Sequence, residues 1–72
     1  EDYETAEKYL KNALLIMPED PIVNDHYGDV LWKLNMKLQA IYYWKAALLS
    51  DEAEKKLKKD INEKLIFGLK NK

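Results

Sequence analysis

Asp25, His26 and Asp29 place two carboxylates and the chain's only imidazole within five residues of one another. Paired carboxylates can divide the roles of general acid and general base, given a water-excluding pocket and a nucleophile with its base. No Ser–His or Cys–His pairing and no Gly-rich phosphate loop accompanies them. His26 with Asp29 would supply two metal ligands, short of the three or four a zinc site uses, and no second His or any Cys is present to complete the set. Catalysis, a bound metal and a cofactor are therefore not expected. The run Lys55, Lys56, Lys58 and Lys59 could meet phosphates, but Asp51, Glu52, Glu54 and Asp60 flank it, the pattern of a solvated helix face. Twelve basic residues, all Lys, stand against thirteen Asp and Glu, for a net charge of −1. That balance announces neither nucleic acid nor an anionic membrane, and the bidentate fork of Arg is missing. Tyr42, Tyr43, Trp44 and Trp32 form an aromatic group of another kind. Large aromatics outside a core are the anchors of protein–protein contacts.

Four helices are expected to position these residues. The first spans Tyr3 to Ile16, with Ala6, Tyr9, Leu10, Ala13 and Leu14 at i, i+3, i+4, i+7 and i+8 on one stripe. Pro18 and Pro21 interrupt the chain, and Asp20 caps a second helix that has Pro21 at its first position, where the missing N–H costs nothing. That helix runs to about Leu34 on the stripe Val23, Tyr27, Val30, Leu31 and Leu34. Asn35 takes the left-handed position after it. A short connection folds the third helix, Lys37 to Leu49, back antiparallel. Asp51 and Glu54 suggest a capping box for a fourth helix reaching Phe67, with Ala53, Leu57, Ile61 and Leu65 inward. Gly68 ends it, and Asn71 and Lys72 are expected to be loose. Tyr43 and Trp44 fall on the buried side, whereas Trp32 and Tyr42 fall off the stripes and are the expected contact anchors.

The strongest pattern is an internal repeat. Ala6 to Leu15 reads AEKYLKNALL, and 34 residues later Ala40 to Leu49 reads AIYYWKAALL, with six of ten positions identical. A 34-residue period is that of the tetratricopeptide helix-turn-helix repeat, whose pattern is W-x₂-L-G-x₂-Y, then A-x₃-F, then P. Here Asn24, Tyr27, Gly28 and Leu31 stand in the first part, and Ala40, Trp44 and Ala47 in the second. The first helix carries Ala6, Leu10 and Ala13 and is followed by Pro18. The sequence resembles that family over about 60 of its 72 residues. It departs at Asn24, where the family has an aromatic, at Glu52, where the closing Pro would stand, and at Asn62, which replaces the small residue that Gly28 represents.

The resemblance implies an all-α solenoid segment of antiparallel helix pairs: 3–17 as the second helix of an incomplete repeat, 21–50 as a full repeat and 51–69 as a capping helix. A chain that opens in mid-repeat is expected to be cut from a longer protein. Ala6, Ala13, Tyr27, Gly28, Leu31, Ala40, Trp44 and Ala47 are the implied packing positions. Ile22, Asp25, Asp29, Trp32 and Lys33 would line a concave groove, continued by Lys56, Lys59, Glu63 and Ile66. Some members hold a partner's terminal carboxylates with Lys and Asn on this face. Asp25 and Asp29 would repel such a ligand and favour a basic or apolar one, unless they pair with Lys56 and Lys59. The expected function is that of a non-catalytic interaction module or assembly scaffold for a protein or peptide. The alternative is self-association through the first helix, where Tyr9 and Ile16 lack a neighbour. A solenoid of two repeats is too shallow for a catalytic pocket, and no run approaches the ~20 apolar residues that span a bilayer. Compartment is left open, the cytoplasm being favoured over the outer part of an anchored bacterial protein.

Overall fold

The computed structural model describes residues 2–69, and among these every regular element is an α-helix. The helices are α1 (Tyr3–Ile16), α2 (Pro21–Lys33), α3 (Lys37–Leu48) and α4 (Lys55–Phe67). Asn71 and Lys72, expected to be loose, lie outside the described residues. The molecule measures 30 × 29 × 19 Å.

Local chemistry sets the helix ends. Asp20 Oδ1 accepts hydrogen bonds from the N–H groups of Ile22 (2.8 Å) and Val23 (3.1 Å), and Pro21 opens α2. Asn24, in the place of the family's aromatic, is buried and donates through Nδ2 to the carbonyls of Pro18 (3.1 Å) and Asp20 (2.9 Å). It therefore ties the α1–α2 turn together with hydrogen bonds rather than with a ring. After α2, Asn35 has φ 65°. The Met36 N–H reaches the Leu31 carbonyl (2.8 Å) and the Asn35 N–H that of Trp32 (3.0 Å), the paired bonds of a Schellman motif. This sharp stop returns α3 along α2 as an antiparallel hairpin, the most extensive helix contact in the chain.

The start of α4 corrects the expected capping box. Residues 51 and 52 form a turn, residues 53 and 54 are irregular, and α4 begins after Glu54, whose side chain makes no capping hydrogen bond. The cause is Ser50: its Oγ donates to the Glu19 carbonyl and accepts from the Glu52 N–H, both at 3.2 Å, and holds the chain in a turn where a helix would otherwise begin.

The core has two parts that meet along α3. Tyr27, Leu31 and Ala40 are packed by Leu10, Leu14, Trp32 and Tyr43. Trp44, Ala47 and Ile61 are packed by Trp32, Ile41, Leu48, Leu57, Leu65 and Leu69. Gly28 lies at a close approach of α2 and α3. A Cβ there would come within 2.4 Å of Trp44 Cδ1 and 3.0 Å of the Ala40 carbonyl oxygen. Tyr9, placed on the buried stripe by its spacing, is 76% exposed, and α1 has no fully buried residue. The reason is topological: the one helix that α1 packs on extensively is α2. Its polar fastening is the Tyr27 hydroxyl, which donates to Glu7 Oε2 at 2.6 Å. Burial, reinforced by the Glu7 carboxylate, pushes the Tyr27 phenol above its ordinary range.

Candidate functional site

Of the expected groove residues, Asp25 and Asp29 are the two carboxylates, and α2 turns both toward α4, where both are engaged. Asp25 is 5% exposed. Lys64 of α4 donates through Nζ to Asp25 Oδ1 at 2.8 Å and to Asp29 Oδ1 and Oδ2 at 2.9 and 3.2 Å. Trp44 of α3 donates through Nε1 to Asp29 Oδ1 at 2.9 Å. One ammonium and one indole N–H thus join three helices through two carboxylates.

The electrostatics follow from counting charges, two negative against one positive. Burial pushes the Asp25 carboxyl up; the Lys64 ammonium opposes that shift, and the neighbouring Asp29 charge adds to it. Burial alone would lower the Lys64 ammonium, but its hydrogen bonds to Asp25 and Asp29 outweigh that and hold it above its ordinary value. A lysine kept charged in this way is not a nucleophile. The cluster acts as a clamp that fixes α4 against α2.

The clamp corrects the pairing expected from sequence. Lys56 pairs instead with Asp60 of its own helix at 3.6 Å, and Lys59 is exposed. Lys64 was missed, although the signal was present: it follows Leu57 by seven residues and so shares the inward side of α4 with Leu57 and Ile61. A lysine on a buried stripe requires a carboxylate opposite. Asp25 and Asp29 accordingly do not present open charge to a ligand.

Trp32 is corrected as well. It is half-buried, stacked on Trp44 with ring centroids 5.3 Å apart and covered by Lys37 Nζ at 4.8 Å, so it is not a free contact anchor. Gly68, at φ 71°, passes close against it, where a Cβ would come within 2.4 Å of the indole. Tyr42, the other expected anchor, is exposed, as are Ile22, Lys33, Glu63 and Ile66. The implied packing positions Tyr27, Gly28, Leu31, Ala40, Trp44 and Ala47 are buried, and Ala6 and Ala13 are half-buried. His26 is exposed, and no group of three His, Cys, Asp or Glu among the described residues could hold a metal ion. No helix among them is long and apolar enough to cross a membrane.

What remains open between α2 and α4 is a cleft of about 290 Å³ beside the clamp. Pro21 and Ile22 of α2, Lys56, Leu57 and Asp60 of α4, and Glu52 and Glu54 of the connection line it. Its apolar surface is Ile22 and Leu57, and its charged rim has three carboxylates against one ammonium. A more polar cleft of about 400 Å³ lies between the α1–α2 and α3–α4 connections, against Asn24, Ser50 and Glu52.

No family model matches the chain, and neither curated proteins nor solved structures give a significant match.

Proposed function

We propose that the chain is an interaction module of the tetratricopeptide type, an α-solenoid segment that receives a peptide or helix of a partner protein and catalyses no reaction. The observation that carries this reading is the α2/α4 cleft, where Ile22 and Leu57 offer apolar surface beside a clamp that holds the two helices at a fixed separation. The 34-residue repeat and the close approach at Gly28 support the assignment of the helix pairs. The groove so formed differs from the expected one. Asp25 and Asp29 hold the scaffold, and the acidic character comes from Glu52, Glu54 and Asp60 at the rim. A segment with an apolar side chain between basic ones fits that lining.

Selection of displayed helical peptides on the 72-residue chain tests the reading. Binders are expected to carry an apolar residue flanked by Lys or Arg and to lose binding to Ile22→Glu, an exposed position whose change leaves the fold intact. A selection that yields no binder, or binders indifferent to Ile22→Glu, contradicts it.

Self-association is the second reading. Tyr9 and Ile16, seven residues apart on one side of α1, are both largely exposed and favour a contact there.

A further inference from the structure

The outward side of α3 carries a row of exposed, largely apolar residues. Leu38 is 85% exposed, Tyr42 66% and Leu49, at the helix C-cap, 81%, with exposed Lys45 between the last two. The 34-residue offset gives an internal comparison. The equivalent positions of α1 are Glu4, Lys8, Lys11 and Leu15, so the same place in the repeat is mostly charged there. Two of the four positions, Lys11 with Lys45 and Leu15 with Leu49, carry the same residue in both helices, and the other two set Glu4 against Leu38 and Lys8 against Tyr42. Leu38 and Tyr42 are thus what α3 adds to this place in the repeat, extending the shared Lys45 and Leu49 into a row.

The row is also symmetric. Its spacings are four, three and four residues, the a/d rhythm of a helix–helix seam. Read in either direction it begins and ends on Leu. Two copies laid antiparallel about a two-fold axis near residues 43 and 44 would set Leu38 against the partner's Leu49. They would also set the Tyr42 ring against the partner's Lys45, with both contacts repeated by symmetry, as an isologous interface demands. A lysine over a tyrosine face is a favourable cation–π pair. Among the described residues, Lys45 has no ion pair or ring contact that would compete. Tyr42 is already oriented by its edge contact with Tyr43, at 5.0 Å between centroids and 86° between planes.

We infer that α3 is a self-association surface: two copies of the chain pair antiparallel through Leu38, Tyr42, Lys45 and Leu49. This row lies apart from the α2/α4 cleft, and the inference does not depend on the cleft's having a ligand. It also differs from association through α1, which would use Tyr9 and Ile16. A single helix row is smaller than the roughly 1,200 Å² at which stable interfaces begin, so a weak dimer is expected, with a dissociation constant on the order of 100 µM.

Sedimentation equilibrium of the 72-residue chain from about 10 µM to 1 mM tests the association, in parallel with Leu38→Lys and with the double change Tyr9→Lys, Ile16→Lys. All these positions are exposed, and far-UV circular dichroism checks that each variant keeps its helices. The average mass of the parent is expected to rise toward two chains. Leu38→Lys should weaken association at least tenfold, and the α1 double change should leave it unaltered. Orientation is read by cross-linking, since the chain has no cysteine of its own. Mild oxidation of Leu38→Cys mixed with Leu49→Cys should give mixed dimers faster than either variant gives dimers with itself. A one-chain mass throughout overturns the inference. So does association that survives Leu38→Lys or is lost with the α1 change, and so does preferred self-cross-linking of Leu38→Cys.

Discussion

Gly28→Ala sets two physical effects against each other with opposite signs. Helix propensity alone favours the change, by about 1 kcal/mol for Ala over Gly in a helix interior. Packing opposes it. The new methyl would lie 2.4 Å from Trp44 Cδ1 and 2.6 Å from Nε1, distances at which something must move. Trp44 has nowhere to retreat: it is fully buried, stacked on Trp32, and its Nε1 donates to Asp29 at 2.9 Å. Overpacking of a filled core costs about 1–3 kcal/mol. Displacing the indole also weakens a hydrogen bond to a charged acceptor, a contact of about 1.5–3 kcal/mol. Set against the propensity gain, the net is a destabilisation of about 2–4 kcal/mol, or roughly 10–30 °C in Tm for a domain of this size. Thermal and urea denaturation followed by circular dichroism measure it, and tryptophan emission reports whether the indole moves. A variant that melts within 2 °C of the parent, or above it, would falsify the close approach of α2 and α3 at this position.

The clamp and the Tyr27–Glu7 contact give further expectations. Lys64→Met leaves Asp25 and Asp29 without their cation. Breaking a fully buried pair in this way costs about 3–5 kcal/mol. The Asp29 side chain is 31% exposed, which reduces the expected loss to about 2–3 kcal/mol at neutral pH. Because the folded state then favours protonated carboxyls, the loss should shrink as pH falls toward 4, and a urea series showing an equal loss at pH 7 and 4 would contradict this. Burial raises the Tyr27 phenol above its ordinary 10.0 in the folded chain. The unfolded chain therefore releases that proton first, so stability is fully present below pH 10 and falls as pH rises beyond it. The raised Lys64 ammonium adds a loss of the same sign above 10.5. Urea midpoints between pH 8 and 12 should decline less steeply for Tyr27→Phe than for the parent, and identical slopes would refute the assignment.

The fold was legible where local signals agree with packing. The periodic stripes give α1 its observed ends, Asp20 and Pro21 give the start of α2, and Asn35 gives its stop, because each of these is a short-range effect of backbone hydrogen bonding. The start of α4 was not legible, since the competing hydrogen bonds come from Ser50 reaching Glu19, 31 residues earlier in the chain. Tyr9 illustrates a second limit: a helical stripe says which side of a helix is apolar, but not whether a neighbour exists to cover it. The candidate site was half legible. Asp25 and Asp29 stood out as charged residues on one side of α2, but their role depends on Lys64, 35 residues beyond Asp29. The cleft residues Ile22 and Leu57 come together only once that clamp fixes α4.

If the α2/α4 cleft receives a partner segment, as we propose, the residues that line it respond to a bound peptide. An amide chemical-shift titration of the ¹⁵N-labelled chain tests it most directly, using a basic, apolar-anchored peptide obtained by selection on the chain. The expected result is saturable shifts concentrated at Ile22, Lys56, Leu57 and Asp60, with affinity falling as salt screens the acidic rim. Shifts confined to α1 or to Leu38, Tyr42 and Leu49, with Ile22 and Leu57 unmoved, would contradict it.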